Sequence, residues 1–156
     1  MWPSRDSGKR DIQTLRKTYR ESPADPRAAL ELARALEAGG EGSEALAVLM
    51  QLIKGNRADE DTFLLAAGTL KNRGEMEETL SVLRKAQELF PSSVVVRYSI
   101  GQVLGLQGKV EEALSEQKAA IELDPCNAEA HFRLGVTYAN ANRYQEALQE
   151  YETTID

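Results

Sequence analysis

One cysteine, one histidine, one tryptophan and three phenylalanines are all that this 156-residue chain holds of those types, and each scarcity removes a class of function. A lone Cys126 can form neither an intrachain disulfide nor a cysteine metal cluster. A lone His131 rules out multi-histidine metal sites and leaves little for acid–base chemistry. Basic residues are outnumbered, 19 Lys and Arg against 25 Asp and Glu, for a net charge of -6. A protein gripping a duplex needs a basic face to neutralise phosphates, so no nucleic-acid partner is expected. The first 25 residues, with six basic against four acidic side chains, read as one solvated helix face. No stretch reaches the ~18 consecutive apolar residues of a membrane span. The opening MWPSRDSGKR has no apolar segment behind its charges, unlike a secretory signal. These absences together suggest a cytoplasmic protein without a membrane partner.

Catalytic patterns are missing as well. There is no G-x-S-x-G, no phosphate-binding glycine loop and no H-E-x-x-H. Gly101, Gly105 and Gly108 approach a glycine-rich loop, but each suits a helix contact or a turn. Cys126 follows Pro125 without a basic neighbour to make a thiolate. His131 stands at a packing position and shows no local partner in the sequence. The pairs Glu77-Glu78 and Glu111-Glu112 suit helix starts, where acidic residues favour the dipole. Expected catalytic residues, metal ligands and cofactors are therefore none, and the chain is not expected to be an enzyme.

What the chain has in abundance is Ala and Leu at helical spacing, repeated. Shifted by 34 residues, its landmarks coincide without a gap. Pro91 falls on Pro125. Gly40, Gly74 and Gly108 fall on one another and then on Asn142. Ala45, Thr79, Ala113 and Ala147 form a small column; Leu36, Leu70, Leu104 and Tyr138 form a large one. A fixed period of this length marks a repeat architecture in which each unit buries its apolar face against its neighbours.

Taken in order, residues 1–8 read as a disordered start, with Trp2 unanchored. Lys9 to Glu21 reads as a helix with Ile12, Leu15 and Tyr19 on one face. It completes an N-terminal cap over 9–25, in the register of a second helix from a preceding repeat. Full repeats follow over 26–59, 60–93 and 94–127. Asp25 before Pro26 is an N-cap followed by proline in the first turn. Gly55-Asn56 closes the first repeat with residues that tolerate left-handed backbone. Val94 to Val96 favours strand by propensity, but the period overrides this and helix is expected. The last repeat, 128–156, is incomplete and lacks a polar cap. The uncapped helix around Leu148, Tyr151 and Ile155 is thus one possible self-assembly surface.

This pattern resembles the tetratricopeptide repeat, W-x2-L-G-x2-Y, A-x3-F, A and P over 34 residues. The last repeat carries Leu134, Gly135, Tyr138, Ala147 and Tyr151, with His131 where Trp is usual. The third has Ile100, Gly101, Leu104, Ala113, Ala120 and Pro125. The second has Phe63, Leu70, Leu83, Ala86 and Pro91. The first has Leu32, Ala33, Leu36, Ala45 and Leu49, with Arg57 in place of Pro. The resemblance covers residues 26–156. It implies an all-α, right-handed superhelical solenoid of antiparallel helix pairs. Close helix approach is expected where Ala33, Ala67, Gly101 and Gly135 oppose the Ala45-to-Ala147 column.

The resemblance further implies a scaffold or adaptor that binds a peptide or helix in a concave channel lined by first helices. Carried onto this chain, the ligand positions include Arg27, Leu30 and Arg34, then Asp61, Leu64, Lys71 and Asn72. Tyr98, Gln102 and Leu106 follow, and then Phe132, Val136 and Asn140. The row Leu30, Leu64, Tyr98 and Phe132 is apolar throughout. It suits a protein or peptide segment with apolar anchors, whose carboxylates Arg27, Arg34 and Lys71 would orient. Chaperone-tail binders of this family carry lysines in the row occupied here by Leu30, Leu64, Tyr98 and Phe132, and those lysines are absent. Other readings stay open: the channel filled by a further segment of the same protein, a substrate-positioning region of a larger enzyme, or a homo-oligomer formed through the last helix.

Overall fold

The structure, a computed structural model, describes residues 5–154, with side chains from Ile12 onward. Among the described residues it holds nine helices and no strand. They are α1 (Arg5–Glu21), α2 (Pro26–Ala38), α3 (Gly42–Lys54), α4 (Glu60–Asn72) and α5 (Met76–Leu89), then α6 (Val94–Leu106), α7 (Val110–Leu123), α8 (Ala128–Asn140) and α9 (Tyr144–Glu152). The four helices α2, α4, α6 and α8 begin at 34-residue intervals, as do α3, α5, α7 and α9. The Val94–Val96 triplet is the first turn of α6, and Val96 is fully buried. Helix α1 starts at Arg5, earlier than the Lys9 start read from the sequence. Apolar periodicity first appears at Ile12, so the preceding turn carried no signal. Trp2 and Ile155 lie outside the described residues.

The same interval governs how the helices start and stop. Asp25, Asp59, Ser93 and Asn127 stand 34 apart, and the side chain of each accepts a hydrogen bond from a backbone N–H in the first turn of the helix that follows. Such N-caps satisfy donors that the helix itself cannot pair. At the far end of each of these helices, the N–H groups of Glu41, Glu75, Lys109 and Arg143 donate to the carbonyls of Leu36, Leu70, Leu104 and Tyr138 at 2.8–3.0 Å. This closure needs a left-handed residue one position before the donor. Gly40, Gly74 and Gly108 supply it with φ of 76–78°, and Asn142 supplies it at 60°.

The chain divides after Glu75 into two compact units. In the first, α1 packs on α2, α2 on α3 and α3 on α4. Ile12 is buried, while Arg16 bonds Glu41, the residue before α3, at 2.6 Å and Glu44 on α3 at 2.7 Å. Tyr19 donates its hydroxyl proton to Gln51 at 2.5 Å. In the second unit each helix from α5 to α9 packs on the next, and α6 also meets α8. Leu114, Leu134, Tyr138 and Ala147 form a buried cluster there, flanked by Val110, Ile121, Ala139 and Tyr151. All members of the small column are buried, and all members of the large one, Leu36, Leu70, Leu104 and Tyr138, are at most 5% exposed.

Close packing falls at the small positions, with one departure from expectation. A Cβ on Gly101 would lie 3.0 Å from the Ala113 carbonyl oxygen but only 2.5 Å from Gln117 Cγ. A Cβ on Gly135 would lie 2.5 Å from the Tyr151 ring. Gly135 is therefore matched to Tyr151, one helical turn beyond the Ala147 that its spacing suggested. The ring is wide enough to fill the inter-helix space from that turn.

Candidate functional site

In the second unit α6, α7 and α8 line a cavity of about 190 Å³ that is open to solvent on one side. Helix α6 contributes Gln102, Gly105 and Leu106, and α7 contributes Val110 and Gln117. Helix α8 contributes Phe132, Arg133, Val136, Thr137 and Asn140. The helical repeat explains the set. Phe132, Val136 and Asn140 are four residues apart and share one face of α8, as Gln102 and Leu106 do on α6. The absence of a side chain on Gly105 keeps the space open, since the nearest atom to a Cβ there is 3.8 Å away.

Five of the ten lining residues are polar, and three of the apolar ones are accessible. Leu106 is 61% exposed, Phe132 48% and Val136 36%. The Phe132 ring leans on Tyr151, centroid to centroid 5.8 Å. Two of the five polar residues carry a buried atom without a partner. Gln117 is only 1% exposed, and its Oε1 has no hydrogen-bond partner. Arg133 keeps a buried Nε without a partner, while its Nη2 donates to Glu129 at 2.7 Å and its guanidinium lies 5.0 Å from the Tyr98 ring.

Five of the residues anticipated as ligand contacts therefore meet at one cavity: Gln102, Leu106, Phe132, Val136 and Asn140. Tyr98 stands beside them as the platform under Arg133. The remaining seven belong to the first unit. There Arg34 donates to Asp61 at 3.0 Å, so two anticipated contacts pair with each other across α2 and α4. Arg27 and Asn72 are exposed, and Leu30, Leu64 and Lys71 are half-buried. Arg34 is thus not a lone cation awaiting a ligand carboxylate. An exposed pair of this kind contributes only ~0–1 kcal/mol, so such a ligand would compete with Asp61 on nearly equal terms.

Sequence reasoning overlooked Gln117 and Arg133. A signal for Gln117 existed: Leu49, Leu83 and Tyr151 occupy its column, and only here does the column carry an amide. Arg133 sits on α8 one residue past a family ligand position and gave no such signal.

His131 corrects a second expectation. It has partners on both sides: Nδ1 lies 2.7 Å from Glu150 Oε2 on α9, and Nε2 lies 2.9 Å from the Pro125 carbonyl oxygen. Burial opposes charging the ring, but the bonds to Glu150 and Pro125 outweigh it and raise its pKa above the ordinary value. Cys126 is exposed. Among the described residues no group of three or more His, Cys, Asp or Glu side chains could hold a metal ion, and no helix is long and apolar enough to cross a membrane. The glycines that resembled a phosphate loop have structural places: Gly101 abuts Gln117, Gly105 borders the cavity and Gly108 turns the chain.

Comparison with known proteins agrees with this architecture. No curated protein sequence matches the chain. Among solved structures, a fragment of MamA from Desulfovibrio magneticus RS-1, starting at its residue 41, superposes with a TM-score of 0.80 at 18% identity, covering 97% of this chain and 85% of that one. YrrB, described as a TPR protein with an unusual peptide-binding site, gives 0.73 at 24% identity over 97% of this chain and 78% of its own. A thermophilic TPR protein of Thermus thermophilus, TTC0263, gives 0.77 at 23% identity over 92% and 79%. Family profiles described as tetratricopeptide repeat match residues 5–64 and 129–156, and one described as TPR repeat matches 104–142. With helix pairs recurring every 34 residues and family profiles matching residues 5–64 and 104–156, the chain belongs to the tetratricopeptide-repeat proteins.

Proposed function

We propose that the chain is a non-catalytic protein-interaction scaffold, and that its second unit binds a peptide or helix against the face of α6 and α8. The observation that carries this reading is the accessible apolar wall of Leu106, Phe132 and Val136 around a preformed cavity. Exposed side chains of this size at one concave spot are characteristic of binding sites. The described peptide-binding site of YrrB lends the reading support, since the fold is shared. In the first unit, Arg27, Leu30, Arg34, Asp61, Leu64, Lys71 and Asn72 are proposed as a separate set of contacts. The proposed repeats are 26–59, 60–93, 94–127 and 128–156 behind the capping helix, and the proposed location is cytoplasmic.

The test is a displayed library of random peptides panned against the whole chain and against a Leu106→Ser, Phe132→Ser variant. Circular dichroism would first establish that the variant is folded. Peptides retained by the parent and lost by the variant are the expected result. Equal retention by both, or no retention, would remove the binding face from α6 and α8.

A second reading, self-assembly through α9, has its own observation. Tyr144 and Leu148 stand four residues apart with 65% and 58% exposure. Tyr151, also anticipated there, is instead packed against Gly135 and Phe132. Light scattering over a hundredfold concentration range would decide. A mass that rises for the parent and not for Leu148→Glu supports assembly, and a constant monomer mass rejects it.

A further inference from the structure

We infer that α9 is a pH-operated clasp on the binding face of α6 and α8: with the His131 ring protonated it holds Phe132 in place for a bound segment, and with the ring neutral it opens and binding weakens; this rests on the peptide-binding reading above. Two contacts form the clasp, and they are adjacent on both helices. His131 on α8 meets Glu150 on α9 at 2.7 Å. The next residues, Phe132 and Tyr151, bring their ring centroids to 5.8 Å. Phe132 lines the cavity and is 48% exposed, so the Tyr151 ring restricts a side chain that otherwise stands half in solvent. Tyr151 also lies against Gly135, where a Cβ would come within 2.5 Å of the ring.

The helix that carries Glu150 and Tyr151 has little else to hold it. Ala147 is the one buried residue of α9, whereas each helix from α2 to α8 buries at least four. At nine residues α9 is also too short to stay helical once undocked, since isolated helices below ~12–15 residues are marginal in water. The tie at His131 is therefore a large share of its docking. That tie needs the charged ring. Nδ1 faces the Glu150 carboxylate and Nε2 faces the Pro125 carbonyl oxygen at 2.9 Å, and both oxygens only accept. A neutral ring has one N–H, so either tautomer turns a lone pair toward an oxygen, and the attraction of imidazolium for Glu150 is lost in both. Other charges around the ring are engaged elsewhere. On α8, Glu129 pairs with Arg133 at 2.7 Å. Beside α9, Glu146 pairs with Arg143 at 2.9 Å, and Glu152 is exposed. In the α7–α8 turn, Asp124 accepts from the Cys126 amide at 3.3 Å and from Asn127 Nδ2 at 3.1 Å. No charged side chain of α6 or α7 shifts the ionisation of the ring; Glu150 is the charge that does. The clasp is thus closed at low pH and opens as the pH rises through the folded-state value of His131, which these bonds raise.

The test compares the full chain, labelled with carbon-13, at about pH 5.5 and about pH 9, on either side of the histidine range. His131 is the sole histidine, so its ring signals are assigned without ambiguity. Relaxation dispersion at Tyr144–Glu152 reads the open population of α9. That population should rise about tenfold, the equivalent of one charge-assisted hydrogen bond, with its midpoint at the titration of the His131 ring and with α6 and α7 unchanged. Glu150→Gln should shrink the pH ratio to about twofold or less. His131→Gln, which has no titrating ring, serves the same comparison if the first variant misfolds. A histidine-free peptide captured from the library should bind the parent about fivefold more tightly at the lower pH, and by reciprocity its binding should raise the titration midpoint of His131. An α9 equally closed at both pH values, or a pH ratio that survives both substitutions, would overturn the clasp. The two proposals fail separately. A chain that captures no peptide yet opens α9 with pH rejects the peptide reading and keeps the clasp. Peptides that bind equally at both pH values, to a chain whose α9 opens, overturn the regulation and keep the binding face.

Discussion

At the scale of single residues, His131 shows how an isolated side chain acquires a role. Its two ring nitrogens face a carboxylate and a carbonyl, both of which only accept, so the doubly protonated ring satisfies both. Its pKa is accordingly raised in the folded state. The stabilisation is fully present below the unfolded value of about 6.5 and disappears as the pH climbs through the folded value. Denaturant midpoints should therefore fall between pH 6 and pH 9, and Glu150→Gln should flatten that dependence. Gln117→Leu should act in the opposite sense, raising stability by about 1 kcal/mol in urea titrations, because an unpaired buried oxygen is removed. Gly135→Ala tests the packing. Alanine gains ~1 kcal/mol of helix propensity, but its Cβ would meet the Tyr151 ring at 2.5 Å. Overpacking of this kind costs about 1–3 kcal/mol, so a lower melting temperature is expected, with Tyr151→Leu recovering most of the loss. None of these three residues was fully legible in the sequence. Glu150 lies 19 residues from His131, and a partner at that distance is found only once two helices are packed together.

At the scale of the helix, legibility was much greater. The column of Gly40, Gly74, Gly108 and Asn142 was visible as a repeat landmark, and the structure gives it a cause in the left-handed turn that ends each first helix. The capping column of Asp25, Asp59, Ser93 and Asn127 was only partly seen, because three residue types share one task. Asp59 illustrates its strength. Burial works against ionisation, yet the bonds from the Thr62 hydroxyl and amide lower its pKa. Asp59→Ala should destabilise the chain by about 1 kcal/mol. In the parent the Asp59 contribution should be present above pH 4 and be lost as the pH falls through the depressed folded value. Acid titrations of the parent and the alanine variant, followed by circular dichroism, would separate the two curves. The strand-like Val94–Val96 became helix because the neighbouring elements reward one face of a helix there, and Val96 ends fully buried.

At the scale of the molecule, the period predicted the number and order of the helix pairs, while the cavity was beyond its reach. Five of its lining residues could be transferred from the family pattern, but the volume depends on Gly105 and on how α6, α7 and α8 pack. The second unit contains its own buried cluster of Leu114, Leu134, Tyr138 and Ala147. In repeat proteins stability is approximately a sum over neighbouring elements. Residues 76–156 expressed alone should therefore give a helical circular dichroism spectrum and a cooperative melt, at a lower temperature than the whole chain. The matched sizes at the helix contacts also constrain any attempt to lengthen or shuffle such an array. Gly101 on α6 is fitted to Gln117 on α7, and Gly135 on α8 to Tyr151 on α9. A module cut between the two helices of a repeat would bring a mismatched partner to each glycine, so the interchangeable building block is the intact hairpin.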